Sequence, residues 1–325
     1  MNGAELGRRL RERDLSAAPA ALNLLESTSP DDREQAAALL AEVAPAKLGG
    51  EAPGHIVGVT GPPGAGKSTL LSAFIMHLRA HGYASIASIA VLAVDPSSRH
   101  SGGSLLGDRT RIAFDPADEQ VFIRSTAAGE RLGGLAAGTR TAAQALAAAF
   151  DVVLIETVGV GQAETDVADV ADTVVVVVQP GSGDVLQFIK SGIMEIPDIL
   201  VVTKSDLGEI AMRTRRDLSA ALRSLSKRSI PVIAVSSLPP YLEFDRLAQE
   251  LEQSRRHMKD LATHRQRLRR AGALRSFATE YGEHGMRALG GRRAAERMLA
   301  QLPANLGEPE IGAWLAEQMQ QQTSA

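Results

Sequence analysis

The segment Gly61-Pro-Pro-Gly-Ala-Gly-Lys67-Ser68 places the tightest limit on how this chain can fold. Its glycines allow backbone N–H groups to turn toward phosphate groups, and a lysine at this position neutralises their charge. The apolar run His55–Thr60 precedes the segment and the amphipathic pattern Lys67–His81 follows it, so it joins a strand to a helix N-terminus. A glycine-rich turn that fits the spacing by chance is the alternative. The flanking patterns favour a phosphate-binding loop.

Short apolar runs alternate with helical patterns after residue 54, which is typical of an α/β fold with a mostly parallel sheet and helices on both faces. Helices are expected over Lys67–His81 and Gly134–Phe150. The predicted strands are His55–Thr60, Ala90–Asp95, Val121–Arg124, Asp151–Glu156, Thr173–Val178, Ile199–Thr203 and Pro231–Val235.

Helical patterns flank this α/β core on both sides. We predict a helical N-terminal region over 1–50, a P-loop domain over 51–240 and a helical C-terminal region, a candidate for dimerisation, over 241–325. The basic stretch Arg265–Arg270 is interpreted as a solvated helix face. The sequence has no cysteine, a net charge of −3 and no apolar run long enough to span a bilayer. These features predict a soluble cytoplasmic protein without nucleic-acid or membrane partners.

Three carboxylates are candidates to support a magnesium ion next to the Ser68 hydroxyl. Asp95 and Glu156 each end a predicted strand, at the edge where open α/β sheets bind ligands. Asp108 lies in the glycine-rich loop between them. A single acid at a strand end can instead cap the next helix, so each assignment keeps that alternative.

The segment from Glu156 to Gln162 resembles the Asp-x-x-Gly segment with which GTPases sense the γ-phosphate, with Glu in place of Asp. Gly159 is the expected backbone sensor, and Gln162 is a candidate to orient the attacking water. A strand-to-loop turn that uses glycine only for its conformation is the alternative.

Base choice rests on Thr203-Lys204-Ser205-Asp206, which resembles the Asn-Lys-x-Asp element of GTPases with Thr in place of Asn. A carboxylate at Asp206 accepts from guanine N1 and the exocyclic amine, whereas adenine would leave it unpaired. A plain turn after the strand is the alternative. The predicted nucleotide-binding residues are Gly61, Pro62, Pro63, Gly64, Ala65, Gly66, Lys67, Ser68, Thr69, Thr203, Lys204, Asp206, Ser236 and Ser237.

Four segments together resemble the MeaB/ArgK/MMAA family of SIMIBI-class P-loop GTPases. They are 58–69, 93–98, 102–108 and 156–162, and the similarity extends over about residues 20 to 240. The resemblance implies a Mg²⁺-dependent GTPase that hydrolyses GTP to GDP and phosphate, slowly unless a partner activates it.

The family's partner is an adenosylcobalamin-dependent acyl-CoA mutase, typically methylmalonyl-CoA mutase. The resemblance implies a homodimeric G-protein chaperone that gates cofactor loading and protects the mutase, with an adenosyltransferase as a second candidate partner. Adenosylcobalamin would belong to the mutase and would not be bound tightly here.

The resemblance also assigns roles within the site. It implies that Asp95, Asp108 and Glu156 serve magnesium and the switch network, and that the segment from Gln179 to Lys190 is a third switch loop. Lys190 would then add positive charge near the transferred phosphoryl group when the partner binds. From the residues alone, Lys190 could equally be a solvated helix residue.

Two other function classes stay open. A nickel-type metallochaperone GTPase needs a metal-accepting cluster, and the chain has no cysteine and seven scattered histidines. A kinase acting on an amino-acid transport component is the other alternative, and the sequence has no His-Arg-Asp catalytic loop.

Overall fold

A seven-stranded parallel sheet organises the part of the chain that the structure describes. The computed structural model describes residues 2–27, 29–83, 85–95, 112–127, 137–157, 166–181, 197–225, 229–258 and 260–323. The strands are β1 (His55–Thr60), β2 (Ile89–Asp95), β3 (Val121–Ala127), β4 (Val152–Glu156), β5 (Thr173–Val178), β6 (Ile199–Val202) and β7 (Val232–Ala234). They lie in the order β3-β2-β4-β1-β5-β6-β7.

Every pairing within this sheet is parallel, so the strands of the described residues end at one common edge. Strands β1, β4 and β5 are buried along their whole length, as expected for apolar strands covered on both faces. The sequence-based expectation of an α/β sheet is therefore confirmed, and "mostly parallel" becomes wholly parallel for these seven strands.

Helices precede, connect and follow the strands. In the described residues they are α1 (Gly3–Arg11), α2 (Ala18–Glu26), α3 (Pro30–Glu42), α4 (Pro45–Leu48), α5 (Lys67–His81), α6 (Ala137–Ala147), α7 (Glu209–Leu225), α8 (Phe244–His257), α9 (Leu261–Ala288), α10 (Arg292–Ala300) and α11 (Glu308–Thr323). The expected helical regions at the two ends of the chain are thus present. No helix among the described residues is long and apolar enough to cross a membrane.

The chain divides into two compact units. One contains residues 55–139 and 150–259, which carry the sheet, and the other contains residues 1–54, 140–149 and 260–325. The sequence predicts a different division, into the consecutive regions 1–50, 51–240 and 241–325. The boundaries of those three regions stay a prediction.

The first helix after β1 is anchored firmly in the sheet unit. On α5, Leu71, Phe74 and Leu78 are at most 2% exposed, and the ring of Phe74 lies 5.8 Å from that of Phe244 on α8. Burial of such side chains stabilises a fold by roughly 1.5–3 kcal/mol each. The N-terminus of α5, where the phosphate loop ends, therefore has a fixed position in this unit.

The interpretation of Arg265–Arg270 as a solvated helix face is wrong for two of its arginines. Arg265 and Arg269 on α9 are 6% and 5% exposed. Arg265 donates to the carbonyl oxygens of Ala52 and Gly54, both at 2.6 Å, and Arg269 forms two hydrogen bonds with the Glu51 carboxylate. The accepting carbonyl and carboxylate groups lie in the loop before β1, where Gly54 is buried and Glu51 and Ala52 are partly buried, and the two guanidinium groups supply their donors.

A buried ion pair lies within the second unit. Arg140 Nη2 is 3.3 Å from Glu308 Oε1, and both side chains are less than a tenth exposed. Burial raises the pKa of the Glu308 carboxyl above its ordinary value, although the Arg140 charge acts in the opposite direction. Removing one partner of such a pair leaves an uncompensated buried charge, so this contact constrains α6 and α11 more than an exposed pair could.

Candidate nucleotide site

The phosphate loop occupies the turn between β1 and α5. Gly61 has φ 143°, and a Cβ built on it would lie 2.0 Å from the carbonyl oxygen of Val177 on the neighbouring strand. Gly64 and Gly66 have left-handed φ values of 77° and 88°. The glycines that the sequence pattern requires are therefore used for two reasons, a close approach to β5 at Gly61 and a left-handed turn further along.

We expect Gly61→Ala and Gly64→Ala to separate these two reasons. At Gly64 the added methyl group meets no atom within 4 Å, so only the left-handed conformation is penalised, by about 1–2 kcal/mol. At Gly61 the methyl group also collides with β5 backbone, which adds about 1–3 kcal/mol. Urea denaturation of both variants measures the difference. Equal stabilities would show that the Val177 contact does not constrain the loop.

Lys67 and Ser68 begin α5 with their polar groups turned toward the loop and the sheet edge. Lys67 is 7% exposed, and its Nζ donates to the carbonyl oxygens of Gly61 at 2.7 Å and Pro62 at 3.1 Å. Ser68 Oγ donates to Glu156 Oε1 at 2.6 Å. The loop thus holds an ammonium group inside its curve, with a hydroxyl and a carboxylate in direct contact beside it.

The pair of Ser68 and Glu156 has the chemistry that a magnesium ion needs. Magnesium prefers hard oxygen ligands and commonly takes one or two from protein groups while keeping waters and substrate phosphates. Glu156 ends β4 next to β1, where Val59 pairs with it, and its side chain is 7% exposed. The two oxygen groups therefore fit a magnesium site at the mouth of the phosphate loop.

Thr157 is a site residue that the sequence reasoning did not single out. Its amide donates to the Val59 carbonyl oxygen at 3.0 Å and its hydroxyl to Thr60 Oγ1 at 2.9 Å, which ties the residue after Glu156 to the end of β1. The signal available in the sequence was its place directly after the strand-ending acid. Thr157 fixes the backbone from which Glu156 projects.

Thr203 and Lys204 follow β6 and adjoin the phosphate loop. Thr203 is 2% exposed, and its hydroxyl donates to the Ala65 carbonyl oxygen at 2.7 Å. Lys204 has a left-handed backbone, φ 55°, and its Nζ donates to Gln179 Oε1 at 2.7 Å. The predicted base-recognition segment is thus bonded both to the phosphate loop and to the end of β5.

Asp206 also follows β6, and Ser236 and Ser237 follow β7. Asp206 is exposed in a short 3₁₀ turn, Ser205–Leu207, and its Oδ1 is 3.5 Å from Ser236 Oγ. Among the described residues, the buried hydroxyls of Ser205 and Ser237 have no hydrogen-bond partner. These two hydroxyls lie in the predicted base-recognition loops, one after β6 and one after β7.

An open cavity of about 520 Å³ lies over the phosphate loop. This volume falls in the range of about 300–1,000 Å³ that is usual for small-molecule sites. The cavity is lined by Pro63, Gly64, Gly66, Lys67, Ser68, Thr69, Ala93, Val94, Glu156, Thr157 and Lys204. The fold therefore brings the phosphate loop, the β4 acid and the first base loop to one cavity.

Several predicted site residues are not tested by this geometry. The structure describes the backbone of Asp95, which ends β2 at the same sheet edge. Asp108, Gly159, Gln162 and Lys190 lie outside the described residues, as does most of the predicted third switch loop after Gly181. Their roles, and those of the described site residues, stay predictions.

The wholly parallel sheet, the phosphate loop between β1 and α5, and the acid-bearing loop after β6 define a P-loop nucleotide-binding protein of the GTPase class. Residues 18–284 match the family described as methylmalonyl-CoA mutase-associated GTPase MeaB. The chain belongs to this family, is a GTPase and binds guanine nucleotides. The resemblance drawn from the four sequence segments is confirmed.

Three individual relatives are similar to this chain over half of their length or more. The chain is 46% identical to a probable GTPase of Mycobacterium tuberculosis, over 70% of this chain and 68% of that protein. It is 42% identical to the mitochondrial methylmalonic aciduria type A homolog of Mus musculus, over 64% of this chain and 52% of that protein. A solved structure described as an LAO/AO transport system kinase superposes with a TM-score of 0.64 at 27% identity, over 92% of this chain and 97% of that one.

Proposed function

We propose that this GTPase is a magnesium-dependent G-protein chaperone of an adenosylcobalamin-dependent acyl-CoA mutase. The observation that carries the proposal is membership of a family described by its association with methylmalonyl-CoA mutase. A phosphate loop whose lysine donates to the loop's own carbonyl oxygens, and whose serine donates to the strand-end glutamate, supports it. The client is methylmalonyl-CoA mutase or a related acyl-CoA mutase, and an adenosyltransferase is a second candidate partner. GTP hydrolysis would gate cofactor loading and protect the mutase.

The proposed chemistry is mainly positioning and neutralisation of charge. Backbone N–H groups of the loop and the α5 N-terminus face the phosphates, and the Lys67 ammonium leaves its loop carbonyl partners for the outer phosphate oxygens. Ser68 and Glu156 would hold Mg²⁺, with Asp95 and Asp108 as further candidates, and the ion would supply positive charge to the β- and γ-phosphates. Asp206 would select guanine through its N1 and exocyclic amine hydrogens.

Partner activation is part of the proposal. Lys190 would add positive charge near the transferred phosphoryl group when the mutase binds, which would keep intrinsic hydrolysis slow without the partner. Gly159 would sense the γ-phosphate through its backbone, and Gln162 is a candidate to orient the attacking water. The protein would act as a homodimer, and light scattering after gel filtration measures that state. Adenosylcobalamin would stay on the mutase.

We expect a purified client mutase to raise the rate of GTP hydrolysis by at least about tenfold, as partner-completed phosphoryl-transfer sites do. The assay measures phosphate release from GTP and ATP, with and without the methylmalonyl-CoA mutase encoded in the same genome. Serum albumin at equal concentration is the protein control. Equal hydrolysis of GTP and ATP, or the same rate with every acyl-CoA mutase of that genome, contradicts the proposal.

The two other function classes are separable in the same preparations. A transport-system kinase would transfer label from γ-labelled nucleotide to a protein, a possibility kept open by the name of the superposed structure. A nickel-type metallochaperone would bind nickel tightly in a calorimetric titration. Label released only as free phosphate, without nickel binding, supports the mutase chaperone over both.

A further inference from the structure

Thr203 occupies the position of the asparagine in the Asn-Lys-x-Asp element of GTPases, and its hydroxyl is hydrogen-bonded to the backbone in this structure. Thr203 Oγ1 lies 2.7 Å from the Ala65 carbonyl oxygen and 3.2 Å from that of Val178, in a position that is 2% exposed. A threonine hydroxyl carries a single hydrogen to donate. Both neighbouring oxygens are acceptors, so that hydrogen is committed to the backbone.

The acceptor at Ala65 belongs to the phosphate loop itself. Ala65 is fully buried between the two left-handed glycines Gly64 and Gly66, and its amide donates to the Pro62 carbonyl oxygen at 3.2 Å. A Cβ built on Gly66 would lie 3.8 Å from Thr203 Oγ1, which is ordinary van der Waals contact. Thr203 therefore supports the loop at the point where its backbone reverses.

An asparagine at this position would differ in the number of its donors. A carboxamide has two N–H hydrogens and an acceptor oxygen, so it can bond to the loop and still donate to a ligand. Guanine offers acceptors at N7 and O6 on the edge away from its N1 and amine hydrogens. Threonine can make the first kind of bond but has no hydrogen left for the second.

We infer that Thr203 is a positioning residue that ties the base-recognition segment to the phosphate loop and contributes no hydrogen bond to the guanine N7 edge. Guanine would then be selected by Asp206, which accepts from N1 and the exocyclic amine on the other edge of the base. The Ser205 and Ser237 hydroxyls, which have no hydrogen-bond partner among the described residues, are available for further contacts. The inference rests on the proposed role of Asp206 in guanine recognition. Thr203 would therefore support the phosphate loop without contacting the base, whereas an asparagine at this position could do both.

The test compares GTP with 7-deaza-GTP, which lacks the N7 acceptor, in wild type, Thr203→Val, Thr203→Ser and Thr203→Asn. Thr203→Val removes the tie to Ala65, so we expect both nucleotides to bind about 3- to 10-fold more weakly with an unchanged ratio of the two affinities. Thr203→Ser restores the hydroxyl and both affinities. Thr203→Asn adds a donor, so the preference for GTP over 7-deaza-GTP rises by about 3- to 10-fold.

Thr214→Val is the matched control, because the Thr214 hydroxyl also donates to a backbone carbonyl, that of Ile210 on α7. A lower preference for GTP over 7-deaza-GTP in Thr203→Val would show that the hydroxyl contacts N7. An unchanged GTP affinity in that variant would show that the hydrogen bond to Ala65 contributes nothing to binding. Either result overturns the inference. If Thr203→Val does not fold, an unchanged ratio in Thr203→Asn overturns it instead. Failure of wild type to bind GTP at all would contradict guanine recognition by Asp206 and is thus distinguishable.

Discussion

Replacing Lys67 by alanine is expected to lower kcat/KM for GTP hydrolysis by about 10²–10³-fold, the usual effect of removing one group that stabilises transition-state charge. Lys67 is 7% exposed, and its ammonium group is held inside the phosphate loop by two of the loop's carbonyl oxygens. Both binding and chemistry should suffer, because the lysine contacts the phosphates throughout the reaction.

Lys47→Ala is the matched control for this prediction. Lys47 lies on α4 with its side chain 57% exposed, 3.7 Å from Glu42, and its loss should leave hydrolysis unchanged. Phosphate release under single-turnover conditions separates the chemical step from binding. If Lys67→Ala hydrolyses GTP within about twofold of wild type, Lys67 is not the phosphate-neutralising group.

The second large effect is expected at Asp206. Asp206→Asn replaces an acceptor-only carboxylate with an amide that donates, so two charge-assisted hydrogen bonds to guanine are lost and GTP affinity falls by about 10²-fold. Xanthine carries an oxygen where guanine carries the exocyclic amine, and the new amide can donate to it. We therefore expect Asp206→Asn to bind xanthosine triphosphate more tightly than GTP, which competition binding measures.

Asp217→Asn provides the matched control on α7. The Asp217 side chain is 67% exposed and pairs with Arg213 at 3.9 Å, so this change should leave the ratio of GTP to xanthosine triphosphate affinities at its wild-type value. An Asp206→Asn variant with that same ratio would remove Asp206 from base recognition. In that event the loop after β7, with Ser236 and Ser237, becomes the next region to test.

The central elements were predictable because their sequences contain enough local information. The apolar runs His55–Thr60 and Thr173–Val178 and the amphipathic pattern Lys67–His81 coincide with β1, β5 and α5. Strands buried on both faces are apolar throughout, and a helix that follows a glycine-rich loop has a sharp start. Motif, strand and helix agree at this point of the chain, which is why the phosphate loop was identifiable.

Element ends were less predictable where a tertiary contact sets them. Asp151 is predicted to lie in a strand, whereas β4 begins one residue later, at Val152. The Asp151 carboxylate accepts from the amides of Ala87 and Ser88, both at 2.9 Å, and its carbonyl oxygen accepts from the His55 amide at 2.8 Å. Strand β3 was expected to stop at Arg124, yet it continues to Ala127 because pairing with β2 persists through Asp95. Neither partner is local in sequence.

The sequence by itself determined the P-loop class, the order of strands and helices, and the family, because each of these follows from residue types at fixed spacing. Only the tertiary structure decided that Glu156 contacts Ser68, that Thr203 supports Ala65, and that Arg265 and Arg269 are buried against the loop before β1. Their hydrogen-bond partners lie between 88 and 218 residues away along the chain. Spacing encodes local geometry, whereas such contacts exist only once the strands have been ordered side by side and the helices packed.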